Sequence, residues 1–228
     1  MAARHHPLIF ALAALAAGCE PTIYVEKLPA SGVTPIPIER PAGQNGAIGW
    51  WPALRLSQDG ALHLAYCDAG RGLVRYGRRD PSGLLELETV DSRGAAGKYL
   101  ALAVDDSGTP HLLYHDQATR LLLHAAREAG RWQYEQVAWG PEIGMGSRLL
   151  AVRDRLYAIF YDQVGVGHLR LAIRAPRDEK PLGSADAWQV TAVDRAGGGA
   201  DLGTDLTVVG DRLVASYPHW NFADSELR

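Results

Sequence analysis

The sequence predicts an all-β protein, a β-propeller of four-stranded blades with about four blades present and the last one incomplete. Three observations lead to this prediction: a repeat of about 47 residues, four short extended segments in each repeat, and frequent turn residues. The 228 residues include 25 glycines, and 47% of the chain is hydrophobic. Glycine suits tight turns because it reaches positive φ without steric cost, and the apolar content is enough for a substantial core.

The first two segments of each repeat have the pattern of a β-hairpin. An apolar run leads to a Gly or Asp turn, and a second apolar run ends near an aromatic residue. The copies cover residues 53–68, 101–116, 149–162 and, more loosely, 206–219.

A third and a fourth extended segment follow in the first three copies. The third segments are residues 72–76, 121–125 and 168–172, and the fourth are residues 85–90, 132–137 and 188–193. The fourth segments alternate in polarity, as expected of a half-exposed outer strand, whereas the inner ones are more continuously apolar. No long segment has the 3.6-residue apolar period that a helical solenoid would need.

The fourth copy reaches residues 225–228 where its third strand is expected to begin. We expect the chain to be a fragment of a longer propeller. The alternative is a four-bladed closure in which residues 36–39 supply a missing outer strand, although the prolines beside them would confine that strand to an edge.

The N-terminus has the features of an export signal. Arg4, His5 and His6 precede an apolar run over residues 8–17, which is too short to span a bilayer. Residues 1–18 are therefore predicted to be a signal peptide. Residues 19–47 contain several prolines and are predicted to be an extended tether and possible closing strand, followed by the repeats at residues 48–228.

The residues Leu15-Ala16-Ala17-Gly18-Cys19 resemble the bacterial lipobox, although Ala16 stands where leucine is commoner. The resemblance implies cleavage before Cys19, acylation of its thiol and attachment to a membrane. Glu20 implies sorting to the outer membrane, facing the periplasm or the cell surface. An ordinary secretory peptide is the alternative. Cys67, the other cysteine, is expected to be a buried lone thiol.

The recurring pattern Asp-x-x-Gly-x-x-His-x-x-Tyr-x-Asp, complete from Asp105 to Asp116, resembles the repeats of sialidase-like, BNR-type bacterial propellers. The resemblance implies the fold for about residues 48–228. It does not imply the activity, because the Ser-x-Asp-x-Gly-x-x-Trp box of sialidases is absent and propellers host many functions.

Residues at equivalent strand ends are the candidate ligand-binding set: Asp68, Asp116, Asp162 and His219, with His115 beside Asp116. In a propeller they converge with the Gly-rich segments 43–49, 93–97, 140–146 and 197–203 on one face. A ring of carboxylates could bind a cation or sugar hydroxyls. Alternatively, each Asp holds the turn that follows it. No metal-ligand spacing supports a metal site, and no cofactor is predicted.

The leading functional hypothesis is a non-enzymatic envelope module that binds a protein or a glycan, because catalytic motifs are missing. The alternative is a glycan-active enzyme, a sialidase-like hydrolase or lyase with its site on the Gly-rich loop face; a structural spacer is a third possibility. The expected partners are a membrane, through the N-terminal lipid, and an unknown ligand. A formal net charge of −3 gives no general attraction for nucleic acid.

Overall fold

The computed structural model describes residues 48–162, 168–194, 203–220 and 225–227, and these residues form strands and turns without a helix. They belong to one compact unit, Gln44–Arg228. The predicted signal peptide, tether and possible closing strand lie outside the described residues, as do Cys19 and segment 197–202.

Three four-stranded antiparallel sheets follow one another along the chain, each with its strands in chain order. The first contains β1 (Ile48–Leu56), β2 (Leu62–Asp68), β3 (Leu73–Arg79) and β4 (Leu85–Asp91). The second contains β5 (Ala96–Val104), β6 (Pro110–Asp116), β7 (Leu121–Glu128) and β8 (Arg131–Trp139). The third contains β9 (Ile143–Val152), β10 (Arg155–Asp162), β11 (His168–Arg174) and β12 (Trp188–Asp194). The all-β class and the predicted quartets of strands are confirmed.

The fourth copy is shorter, as the sequence indicates. β13 (Asp205–Val209) pairs with β14 (Arg212–Ser216), which is the predicted hairpin. β15 (Pro218–Trp220) then pairs with β16 (Ser225–Leu227). The expected third strand therefore begins at Ser225, and the break at Tyr217 separates the two small sheets.

The expectation that segments 93–97 and 140–146 are Gly-rich loops is wrong for their C-terminal parts. Ala96 already begins β5 and Ile143 begins β9. Each strand continues through irregular pairing because Gly97 and Gly144 have φ values of 109° and 96°, which glycine adopts without strain. A side chain at Gly97 would also meet Cys67, whose Sγ would lie 2.9 Å from the added Cβ.

Consecutive sheets pack face to face, and this packing forms the core. One apolar cluster joins Val74 and Tyr76 of the first sheet to Leu112 and Tyr114 of the second. Another joins the second sheet to Phe160 and its neighbours in the third. Cys67 is a free, buried thiol as predicted, and burial raises its pKa to about 11.

An arginine–glutamate pair recurs at both junctions between four-stranded sheets. Arg127 Nε of β7 lies 3.3 Å from Glu88 Oε1 of β4, and Arg174 Nη2 of β11 lies 2.7 Å from Glu135 Oε1 of β8. Arg127 and Arg174 occupy the same repeat position, as do the two glutamates. The first pair is partly exposed, whereas the second is buried.

A tyrosine–aspartate hydrogen bond recurs in the same way. Tyr114 Oη donates to Asp91 Oδ2 at 2.8 Å, and Tyr217 Oη donates to Asp194 Oδ2 at 2.9 Å. Between the second and third sheets, Phe160 occupies the repeat position of the tyrosine. Ala138 occupies the repeat position of the aspartate. Hydroxyl and carboxylate are thus lost together, which avoids a buried carboxylate without a donor.

One face of the first sheet is uncovered within the described residues. Leu54 and Leu56 of β1 are 55% and 72% exposed, whereas Leu102, the repeat equivalent of Leu54, is 0% exposed against the first sheet. The repeat thus builds the same apolar face in each sheet and buries it where another sheet precedes it.

A buried polar chain runs across the second sheet to its junction with the third. Asp105 Oδ2 lies 3.2 Å from His111 Nε2, His111 Nδ1 lies 3.0 Å from His124 Nε2, and His124 Nδ1 lies 2.9 Å from Glu135 Oε2. Arg174 and the Trp188 indole also donate to Glu135. Burial opposes charge on His124 and lowers its pKa to about 4. Burial alone would raise the pKa of Glu135, but the donors from His124 and Arg174 outweigh it and hold the pKa well below its usual range.

We expect this chain to make folding acid-sensitive. In the unfolded chain His124 takes up a proton near the ordinary histidine pKa of 6.5, whereas in the folded protein it does so near pH 4. The free energy of unfolding therefore falls as the pH is lowered from 6.5 to 4. Protonation of Glu135 removes further stability below its ordinary pKa of 4.5. Urea unfolding at pH 7.5, 5.5 and 4.5 checks the direction. His124→Gln should reduce the loss of unfolding free energy between pH 7.5 and 5.5. The same loss in the variant and the wild type would contradict the assignment to His124.

Candidate ligand-binding rim

Strand register places the candidate residues at one end of the sheets. Asp68 pairs with Ile48, Asp116 with Ala96, and Asp162 with Ile143, so the second strand of each sheet ends where the first begins. The loops there contact one another: Gln117 N donates to Ala95 O at 3.0 Å, and Gly140 N donates to Arg120 O at 2.9 Å. We call this end the rim, and its residues are 48–51, 68–72, 92–99, 115–120, 139–146 and 162.

The three aspartates of the rim are buried and accept hydrogen bonds from groups of their own sheets. Asp68 Oδ1 accepts a hydrogen bond from Arg71 N, and Asp116 accepts from Ala118 N and Thr119 Oγ1. Asp162 Oδ2 accepts from Arg170 of the neighbouring strand β11. This geometry supports the structural alternative for the aspartates. Across the described ranges, no group of three His, Cys, Asp or Glu side chains is placed to hold a metal ion.

Two other predicted residues cannot be placed as side chains. Cys19 lies outside the described residues. The backbone of His219 lies in β15 and pairs with Glu226, and its side chain lies outside the described part.

His115 differs from the aspartates because it is buried and no well-formed hydrogen bond holds its ring. It is 1% exposed, and neither of its ring nitrogens has a hydrogen-bond partner of good geometry. Its ring stacks on that of Tyr99, with 6.3 Å between centroids and 21° between planes. Burial lowers the pKa of His115 and so favours the neutral imidazole. A buried polar group without a partner costs about 1–3 kcal/mol, so His115 marks a place where a ligand or a water would be stabilised.

An aromatic row extends from Tyr99 to solvent. The Trp51 ring lies 5.9 Å from that of Tyr99, and Trp50, which is 51% exposed, lies 5.3 Å from Trp51. Trp51 and Tyr99 occupy the same repeat position and have φ values of 49° and 58°. The third repeat has Gly146 there, with φ 62°. The first two repeats therefore hold an aromatic residue in a backbone conformation that glycine adopts more readily.

A charged pair lies beside this row. Lys98 Nζ is 3.3 Å from Glu142 Oε2 and 4.8 Å from the centre of the Tyr99 ring. Tyr99 Oη donates to the same carboxylate oxygen at 3.2 Å. The Glu142 side chain is 47% exposed and the Lys98 side chain 21%. With Trp50 and Trp51 at the exposed end of the row, this pair presents flat apolar surface next to hydrogen-bonding groups.

Sequence reasoning found His115 but not the residues around it: Trp50, Trp51, Lys98, Tyr99 and Glu142. A usable signal was present, because Trp50, Lys98 and Met145 occupy one repeat position and differ in chemistry. Residues that a fold requires recur in its repeats, whereas residues that serve one site need not recur. Asp68, Asp116 and Asp162 recur at one repeat position, and recurrence there reflects bonds within each sheet.

The chain matches no protein-family model and none of the curated proteins. Within the ranges that the structure describes, no helix has the length and apolar character needed to cross a membrane.

Proposed function

We propose that this protein is an envelope lipoprotein whose repeats form a β-propeller and bind an external ligand, a protein or a glycan, at the rim. The observation that carries the proposal is the half-exposed Trp50 at the end of the Trp51–Tyr99 row, beside the Lys98–Glu142 pair. Of the two ligand classes, we favour a glycan.

The chemistry of the rim supports a glycan. A sugar ring has an apolar face that packs on an indole or phenol ring, and hydroxyl groups at its edge that bond to charged side chains. Trp50 and Trp51 offer the first kind of surface, and Lys98 with Glu142 offers the second. His115, which is 1% exposed, stacks on the Tyr99 ring and supports the buried end of the row.

The propeller is supported by contacts that recur between successive sheets. The Arg–Glu pair and the Tyr–Asp bond each join one sheet to the next in the same orientation. The first strands β1, β5 and β9 also lie next to one another, as the innermost strands of radially stacked blades would. The exposed apolar face around Leu54 resembles the faces on which the other sheets pack, and a further blade could pack on it.

The proposed attachment to a membrane depends on the lipobox-like residues 15–19 and is tested separately. Labelled palmitate fed to expressing cells should be incorporated into the full chain and not into Cys19→Ser. Label remaining in the variant would contradict acylation of Cys19.

Trp50→Ala should weaken glycan binding by about tenfold, the effect of losing one aromatic contact of roughly 1.4 kcal/mol. The glycan is first identified on an array of bacterial envelope polysaccharides, and its affinity is then measured by calorimetry. Leu84→Ala is the control, because Leu84 is a large apolar residue that is 61% exposed and lies between β3 and β4, at the end of the first sheet opposite the rim. Equal effects of the two changes, or capture of protein alone, would contradict the glycan site.

The enzymatic alternative has one observation in its favour, the hydrogen bond from Tyr99 to Glu142, because sialidases use a tyrosine nucleophile. Burial raises the pKa of Tyr99 despite the nearby lysine, which makes the phenol a poor nucleophile. We therefore propose binding without turnover. A panel of chromogenic glycosides should stay silent, and turnover that disappears in Tyr99→Phe would establish the enzyme instead.

A further inference from the structure

A cavity of about 250 Å³ lies between the second and third sheets, among the hairpin turns at the end opposite the rim. Its lining includes Asp105 and His111 from the second sheet and Arg155 and Arg174 from the third. The remaining wall comes from the segment after β11, where Arg177 contributes. The cavity is below the range of roughly 300–1,000 Å³ typical of pockets for drug-sized ligands, so it suits a small group.

The segment between β11 and β12 closes this end of the junction. This segment is an insertion relative to the first two repeats, and its residues Asp178 and Glu179 are exposed. The rest of the segment packs inward: Gly183 N donates to Glu135 Oε1 at 3.0 Å, and Lys180 O accepts from Arg174. The insertion thus builds a wall that the shorter connections of the first two repeats do not supply.

The turn between β9 and β10 presents an arginine at a strained position. Arg153 has φ 55°, whereas the equivalent turn of the fourth repeat has Gly210 with φ 64°. A left-handed conformation is unfavourable for a residue with a side chain and costs glycine little. Glycine would therefore build this turn more easily, and Arg153 brings a guanidinium to the mouth of the cavity.

Positive charge in the cavity is incompletely neutralised. Arg153 and Arg155 have no ion pair within the described ranges. Arg177 Nη2 lies 3.4 Å from His111 Nε2 and 3.7 Å from Asp105 Oδ2. That carboxylate already accepts hydrogen bonds from Ser107 and Thr109.

The two other carboxylates of the lining are Asp154 and Asp178. Both residues are exposed, as is Arg153, so water screens these three charges, whereas Arg155 and Arg177 are partly buried.

We propose that this cavity is a binding site for a small oxyanion, a sulfate, phosphate or carboxylate group, held by Arg153, Arg155 and Arg177. Guanidinium groups bind such oxyanions through paired N–H donors, and a site partly closed to water strengthens these bonds. His111 and Arg174, each 2% exposed, form the buried part of the lining. This site is independent of the rim and of any glycan bound there.

The test uses the full chain and sodium sulfate as the probe, with sodium chloride at the same ionic strength as the reference. A ligand that binds only the folded state raises the midpoint of thermal unfolding. Sulfate should raise the midpoint of the wild-type protein more than chloride does. Arg153→Gly should lose most of that sulfate-specific rise while its midpoint in chloride does not fall, because glycine relieves the turn.

Arg212→Ala is the matched control, since Arg212 follows the equivalent turn in the fourth repeat, is exposed and lies outside the cavity. It should keep the full sulfate effect. N-acetylglucosamine 6-sulfate shows whether the oxyanion is free or part of a sugar ester. A larger rise in the unfolding midpoint than with free sulfate assigns it to a sugar ester. An equal rise assigns it to the free ion. No sulfate effect beyond chloride, or the same effect in wild type and Arg153→Gly, would overturn the proposal.

Discussion

Arg174→Met should lower the free energy of unfolding by about 3–5 kcal/mol, the usual cost of removing one partner from a buried ion pair. The Arg174 and Glu135 side chains are 2% and 0% exposed, and the guanidinium donates at 2.9 Å and 2.7 Å to the two carboxylate oxygens. Without it, a buried carboxylate keeps only neutral donors. Urea unfolding at pH 7.5 measures the loss.

Arg127→Met is the matched control for Arg174. It stands at the same repeat position and pairs with Glu88, but the two side chains are 46% and 32% exposed. Exposed pairs contribute about 0–1 kcal/mol, so this change should be nearly neutral. Comparable losses in the two variants would show that burial does not set the difference. A double variant, Arg174→Met with Glu135→Leu, should recover part of the stability, because no unpaired charge then remains.

Leu102→Ala should cost about 2–5 kcal/mol, because it removes a fully buried side chain and leaves a cavity between two sheets. The loss is again read from urea unfolding, with the slope of the transition as a check that both states are unchanged. This change probes the packing of the second sheet on the first.

Leu54→Ala is the control for Leu102→Ala and also reports on the architecture. Leu54 occupies the same repeat position but is 55% exposed, so its truncation should cost less than about 1 kcal/mol. Equal losses of unfolding free energy at the two positions would contradict the conclusion that this face of the first sheet is exposed. They would show that another element covers it in solution.

Much of the fold could be predicted from the sequence because the repeat supplies its own internal comparison. Hairpins at residues 53–68 and 101–116 share turn residues, apolar runs and terminal aspartates, and the structure has both hairpins. The errors lie at strand starts. Ala96 and Ile143 begin strands inside Gly-rich segments, because glycines with positive φ let irregular strands continue where a loop pattern is expected.

The candidate site could be predicted only in part. Asp68 and Asp116 recur since each accepts hydrogen bonds from its own turn, which is a local effect that a sequence shows. The association of Lys98 with Glu142, 44 residues apart, joins two sheets and follows from their packing. The contact of Arg174 with Glu135, at the end of the chain from Asp105, depends on packing in the same way.

The sequence by itself determined the all-β class, the four-strand unit and the end of each sheet to which the recurring residues belong. Those properties follow from local patterns of apolar, turn and β-forming residues. Only the tertiary structure decided which side chains are buried without partners, which charges meet across a junction, and where a cavity opens. Such properties depend on distances between sheets, and a repeat fixes positions within a sheet without fixing what the next sheet places opposite them.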